Sequence, residues 1–182
     1  MQYPIDKIAA VGRAVGGALG LAGAATTQPN LQAILWAIDS AALVIATSLL
    51  TTKYFRKGND LVAAGFMVFA IGEAVLLSGT AAGPAGSVPA FAAGTALWAT
   101  ALLLISIPKL FNLPIRILGA ASGILFIITS GQNLLGRTIA ADVEPIAELC
   151  IPLTGGNLHW LDLDILARST WRVTRQNCSV QT

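Results

Sequence analysis

The stretch LQAILWAIDSAALVIATSLLTTKYFRKGNDLVAAGFMVFAIGEAVLLSG, residues 31–79, decides how the rest of the chain is read. It holds two apolar runs, Leu31–Thr51 and Leu61–Gly79, joined by the basic turn Lys53-Tyr54-Phe55-Arg56-Lys57-Gly58-Asn59-Asp60. A membrane-spanning helix needs about 20 apolar residues, so each run is long enough to cross. Each carries one acid in its interior, Asp39 in the first and Glu73 in the second. Asp39 precedes Thr51 by twelve residues, and Glu73 follows Leu61 by twelve. At a helical rise of 1.5 Å per residue, both acids lie roughly 18 Å from the turn of an antiparallel hairpin. They are therefore expected at one depth. A charge there costs about 2.5–3.5 kcal/mol even on the lenient insertion scale, and something must offset it: protonation, a cationic partner or water.

Composition extends this reading to the whole chain. Of 182 residues, 55% are hydrophobic and 11% charged, whereas a soluble domain is nearer a quarter charged. The formal net charge of +2 is too small to argue for nucleic acid, and its placement follows membrane topology instead. Three further apolar runs, Ile5–Ala25, Ala90–Ile107 and roughly Leu113–Leu135, bring the expected spans to about five. Thr26–Asn30, with Pro29, and the Gly- and Pro-rich Thr80–Pro89 read as turns.

Charge placement gives the orientation. Lys7 and Arg13 lie at the first end, Lys53, Arg56 and Lys57 in the second-to-third turn, and Lys109 and Arg116 between the fourth and fifth runs, while residues 26–30 and 80–90 carry no Lys or Arg. This is the positive-inside pattern for five spans with a cytoplasmic N-terminus, with Arg137 as a mild departure. If Ile5–Ala25 did not span, Lys7 and Arg13 would move outside, so five spans are preferred to four. The expected fold is an all-α polytopic transmembrane helix bundle over residues 1–136, followed by a polar C-terminal tail over 137–182. The tail is expected to be irregular, or to form a short amphipathic helix at Leu158–Val173 with Trp160 and Trp171 as anchors. No cleavable signal peptide and no lipidation motif is expected. The pattern is that of small proteins of bacterial inner membranes.

Candidate residues follow from helical spacing. Gly12, Gly16 and Gly20 recur every fourth residue and let another helix approach closely, apart from the bulky stripe Ile8, Val11, Val15 and Leu19. Arg13 lies beside the glycine face; it either points into the bundle or snorkels to the headgroups, with snorkelling slightly favoured. Gln32, Trp36, Asp39 and Leu43 share one face of the second run, and Phe66, Phe69 and Ala70 lie near the face of Glu73. Gly65 and Gly72 mark a close-packing side of the third run. Trp98 is expected inside the bundle, where its N–H needs an acceptor. Ser122, Phe126, Thr129 and Asn133 form a polar stripe on the fifth run, with Gly119 and Gly123 on another face.

The chemistry of the chain is narrow. Cys150 and Cys178 could pair in an oxidising compartment or stand as two unrelated thiols. His159 has no second histidine to share a metal, and no phosphate loop, nucleophile elbow, HExxH or CxxC occurs. No enzyme activity, cofactor, metal or nucleic acid is expected. Two functional expectations remain. In the first, the chain is a non-enzymatic structural or accessory protein that associates, as a homo-oligomer or with a membrane partner protein, through the Gly12/Gly16/Gly20 face. In the second, it is a small transporter or proton-conducting protein in the lipid bilayer, using Arg13, Asp39 and Glu73 as an intramembrane polar cluster.

The orientation is testable with single cysteines at Gln28 and Asn59, in a background with Cys150 and Cys178 changed to serine. Gln28→Cys should react with an impermeant maleimide in intact cells, and Asn59→Cys only after permeabilisation. The reverse pattern would refute the topology.

Overall fold

The basic turn of the central hairpin is set by one glycine. In the computed structural model, which describes residues 3–80 and 83–135, helix α2 (Pro29–Arg56) ends in a backbone cap around Gly58. Gly58 takes the left-handed φ of 67° that a side chain disfavours. The Gly58 N–H then donates to the Phe55 carbonyl (3.0 Å) and the Asn59 N–H to the Tyr54 carbonyl (3.0 Å), the paired bonds of a Schellman cap. The turn is therefore Lys57–Asn59, shorter than expected. Lys53 to Arg56 belong to the helix, because nothing in them breaks it before Gly58.

Four more helices flank this turn: α1 (Tyr3–Ala25), α3 (Asp60–Thr80), α4 (Gly83–Ser106) and α5 (Leu113–Leu134). No strand occurs among the described residues. All five helices are long and apolar enough to cross a membrane. Pro29 and Pro114 open α2 and α5 in the first turn, where the missing N–H costs nothing. Helix α4 begins at Gly83, earlier than the expected loop allows, and runs through Pro89. A segment that borders hydrocarbon must pair its own backbone groups, and that demand outweighs the poor helix propensity of Gly and Pro. The tail residues, including Arg137, Cys150, His159, Trp160, Trp171 and Cys178, lie outside the described residues.

The helices form a row in chain order. Backbones approach closely between α1 and α2, α2 and α3, α3 and α4, and α4 and α5; no Cα atoms of non-consecutive helices come within 8 Å among the described residues. Helices α1 and α5 are thus the two edges. Small residues make the close seams. A Cβ placed on Gly72 would meet the Gly94 carbonyl at 3.1 Å, and one on Gly94 would meet the Gly72 carbonyl at the same distance. Gly65 faces Ala101 and Ile105, and Gly79 faces Ala90, so the α3 glycines at seven-residue spacing all turn to α4. Gly119 and Gly123 of α5 meet Ser106 and Ala99 of α4 in the same way.

Beside an apolar core that includes Leu50, Val62, Phe66 and Phe126, the burial pattern departs from a soluble protein's. Ser40, Thr47, Thr95, Ser122, Thr129, Ser130 and Asn133 are buried, while Ile8, Val11, Ile34, Ile45, Met67, Ile117 and Ile127 are exposed. Thr47 and Thr95 donate back to carbonyls of their own helices, and the Ser130 hydroxyl crosses to the Ala92 carbonyl of α4 at 2.8 Å. Polar groups inward and large apolar groups outward suit a lipid solvent. The chain is a multi-pass membrane protein.

The basic ends of the helices are tied together. The Lys53 ammonium at the last turn of α2 pairs with the Asp6 carboxylate at the first turn of α1, 2.6 Å away. The Arg116 guanidinium of α5 donates to the Ser106 and Ile107 carbonyls (2.8 and 2.9 Å), closing the C-terminal end of α4. Each pairing also places a charge where the helix dipole favours it.

Two consequences can be measured by thermal unfolding in mild detergent. Gly72→Leu forces a side chain against backbone in the α3–α4 seam and should cost about 1–3 kcal/mol, the usual range for overpacking. Arg116→Met leaves the Ser106 and Ile107 carbonyls without their donor and should cost about 1–3 kcal/mol. Wild-type stability in either variant would contradict the seam or the cap.

Candidate functional site

The site is built where the α1–α2 seam passes the middle of the bundle. On α1, Gly12 faces Ala42 and Ala46, Gly16 faces Asp39 and Leu43, Gly20 faces Asp39, and Gly23 faces Trp36. On α2, the Gln32 amide closes the upper end of the seam by donating to the Gly23 carbonyl at 3.2 Å. The two faces read from sequence are thus partners in one antiparallel zipper. The Gly12/Gly16/Gly20 face is covered by α2 of the same chain and does not lie open to a second copy.

Asp39 sits in this zipper because glycine leaves it room. A Cβ on Gly16 would stand 3.0 Å from Asp39 Oδ1, and one on Gly20 would stand 2.7 Å from Oδ2. About 100° around α2 from this contact, the neighbouring Ser40 faces α3. The buried Ser40 hydroxyl lies near the Glu73 carboxyl, and Asp39 and Glu73 interact electrostatically. The equal depth expected from their spacing is realised by this register. Glu73 is 2% exposed, and Asp39 is half-buried. Glu73 Oε1 and Asp39 Oδ1 are both buried without a hydrogen-bond partner.

Aromatic side chains wall the site on the α3–α4 side. Phe69, one turn before Glu73, stacks on Trp98 with ring centroids 5.5 Å apart, and Trp98 meets Phe126 edge-on at 5.3 Å. Trp98 fills the interior as expected, but its Nε1–H finds no acceptor. Phe69 also packs on Leu43 of α2.

Arg13 belongs to a different level. It is 3% exposed, so it points into the protein and does not snorkel to the headgroups. Side chains on a helix tilt towards its N-terminus, and Arg13 interacts electrostatically with Tyr54, nearer the basic end. Tyr54 is enclosed by Phe66 and Phe111, with the Lys53 and Lys57 ammonium groups over its ring at 5.4 and 5.9 Å. Asp39 and Glu73 thus interact electrostatically near Ser40, and Arg13 interacts with Tyr54.

Ser40 and Tyr54 were not singled out by spacing. Ser40 lies about 100° around α2 from Asp39, and only the α2–α3 register turns it towards Glu73. Asp6 carried a signal that went unread, an acid in the first turn of one helix at the same end as a lysine in the last turn of its antiparallel neighbour. No group of three or more His, Cys, Asp or Glu that could hold a metal occurs among the described residues.

Comparison with protein-family models, with curated proteins and with solved structures finds no match to this chain. The reading therefore rests on the site itself.

A buried carboxyl with an orphaned oxygen opposes folding, and apolar replacements of similar volume at such sites are often neutral or stabilising by about 1–4 kcal/mol. Glu73→Met should accordingly match or exceed wild-type stability in thermal unfolding. A loss of several kcal/mol would assign Glu73 to packing.

Proposed function

We propose that this chain is a non-enzymatic small transporter or proton-conducting protein whose working site is the Asp39–Glu73 pair. One observation carries the reading. Two carboxyls interact electrostatically inside the bundle, and each keeps a buried oxygen without a hydrogen-bond partner. Acids retained for packing are expected to have their oxygens bonded, because an unsatisfied buried polar group costs about 1–3 kcal/mol. Groups that must release and rebind a cation are left partly unsatisfied, and ionisable residues inside membranes mark such pathways by default. The half-buried Asp39 gives access, and the enclosed Glu73 gives the dry end of the site. Placement in a bacterial inner membrane, with the N-terminus in the cytoplasm, belongs to the same proposal and rests on the charge alternation.

A second reading, an accessory or self-associating protein, is favoured by the open row. Helices α1 and α5 do not close on each other, and both present apolar side chains outward. In that case a second copy or a membrane partner would complete the bundle at an edge and not at the glycine face.

Reconstitution into liposomes separates the two. Wild-type protein should carry proton or monovalent-cation flux under an imposed gradient. Asp39→Asn and Glu73→Gln should each lower that flux about a hundredfold, the usual contribution of a positioned proton-transfer group, with unfolding temperature unchanged. Equal flux in wild type and both variants would reject the transport reading. A defined partner in native mass analysis from the source membrane would establish the accessory one.

A further inference from the structure

We propose that the basic end of the bundle holds an anionic phospholipid, its phosphate between Lys57 and Lys109 and its acyl chains along Ile107 and Leu113. This site is separate from the Asp39–Glu73 pair and does not depend on transport. The turn after α4 reaches past α3 to the end of α2. Phe111 in that turn meets the Tyr54 ring edge-on, with centroids 6.1 Å apart, and both are buried in one apolar cluster with Phe66 of α3. The Lys57 ammonium stands 5.9 Å from the centroid of the same Tyr54 ring. Lys109 is two residues before Phe111, at most about 7 Å away along the chain. Lys57, its neighbour Arg56 and Lys109 are all exposed. Flexible lysine stems can therefore bring ammonium groups from both turns to one phosphate.

Charge complementarity sets the sign of the ligand. Among the described residues the exposed cations are Lys7, Arg56, Lys57 and Lys109, all at this end, and Asp60 is the one exposed acid. Asp6 is already paired with Lys53. Cations beside a membrane attract anionic headgroups. The apolar neighbours of these cations make the ligand an amphiphile. Ile107 and Leu113, 60% and 63% exposed, lie on either side of Lys109, and Phe55, 69% exposed, precedes Arg56. A soluble phosphate gains nothing from such side chains, whereas a phospholipid lays its chains on them while its phosphate meets the lysines.

A phosphate held from both turns ties the end of α2 to the turn after α4, the span that Tyr54 and Phe111 already bridge. Among the described residues the backbones of non-consecutive helices do not approach closely. The lipid thus adds a tie across α3, and a ligand that binds only the folded chain raises its stability.

The test titrates dioleoylphosphatidylglycerol into the full chain in a neutral detergent, with binding read by native mass spectrometry and the unfolding temperature followed in parallel. The lipid should bind saturably and raise the unfolding temperature, and dioleoylphosphatidylcholine should do neither. Lys57→Gln and Lys109→Gln should each weaken binding about fivefold, and Lys109→Arg should retain it. Both lysines are exposed, so the lipid-free unfolding temperature of the glutamine variants should stay at the wild-type value. Equal retention of the two lipids, or unchanged phosphatidylglycerol affinity in both glutamine variants, would overturn the site. Inorganic phosphate that raised the unfolding temperature as much as the lipid would overturn it in favour of a soluble anion. Polyglutamate binding more tightly than phosphatidylglycerol would overturn it in favour of an acidic protein partner.

Discussion

Close backbone approach through glycine is the constraint on which this structure depends. Lipid tails are as apolar as leucine side chains, so burying leucine against leucine does little to hold helices together in a membrane. Dispersion contacts and interhelical hydrogen bonds must do it, and both grow as the axes draw nearer. The chain meets this demand three times, with Gly12, Gly16, Gly20 and Gly23 on α1, Gly65, Gly72 and Gly79 on α3, and Gly119 and Gly123 on α5. Glycines outside these seams behave differently. Gly17 and Gly131 meet nothing within 4 Å. Position on the helix, not glycine content, makes the seam.

The seam between α1 and α2 does more than join two helices. Elsewhere along it, glycine faces alanine, leucine or tryptophan; at its centre it faces a carboxylate. Had α1 carried side chains at positions 16 and 20, Asp39 would have been displaced from the α1–α2 contact. The glycines thus give the acid its place, and the α2–α3 register then sets Ser40 and Glu73 beside it. Stability and chemistry pull in opposite directions here. The oxygens left without partners oppose folding, while Asp6–Lys53 and the Arg116 cap strengthen the basic end of the bundle, away from the acids.

Most of the fold was legible because a lipid environment simplifies the code. Apolar length marks spans, and lysine and arginine mark alternate turns, so five helices and their antiparallel order follow from residues 5–135. The equal depth of Asp39 and Glu73 was also readable, since a tight hairpin makes depth a matter of counting. Which faces pair was not. The spacing of Gly12, Gly16 and Gly20 announces a close contact without naming its partner, and α2 turned out to be that partner within the chain. Arg13 illustrates the same gap, because its 3% exposure depends on how α1 is rotated against its neighbours. The end of α2 and the start of α4 were misplaced for a different reason. Charges at residues 53–56 and prolines at 84 and 89 look like turn residues in water, but at a membrane boundary the backbone's need for internal hydrogen bonds keeps them helical.

The row of helices sharpens what the acid pair can mean. A proton needs only a chain of hydrogen-bonding groups, whereas a hydrated solute needs an enclosed passage. Among the described residues the backbones of the five helices approach only their chain neighbours, with α1 and α5 at the two edges, so they do not close into a ring. A larger cargo would require a second chain against one edge to wall it in. A proton requires no such wall, and the two acids lie on α2 and α3 inside the row, with Asp39 beside the α1–α2 seam. On the transport reading, the geometry therefore fits a proton better than a hydrated solute for a single copy of this chain.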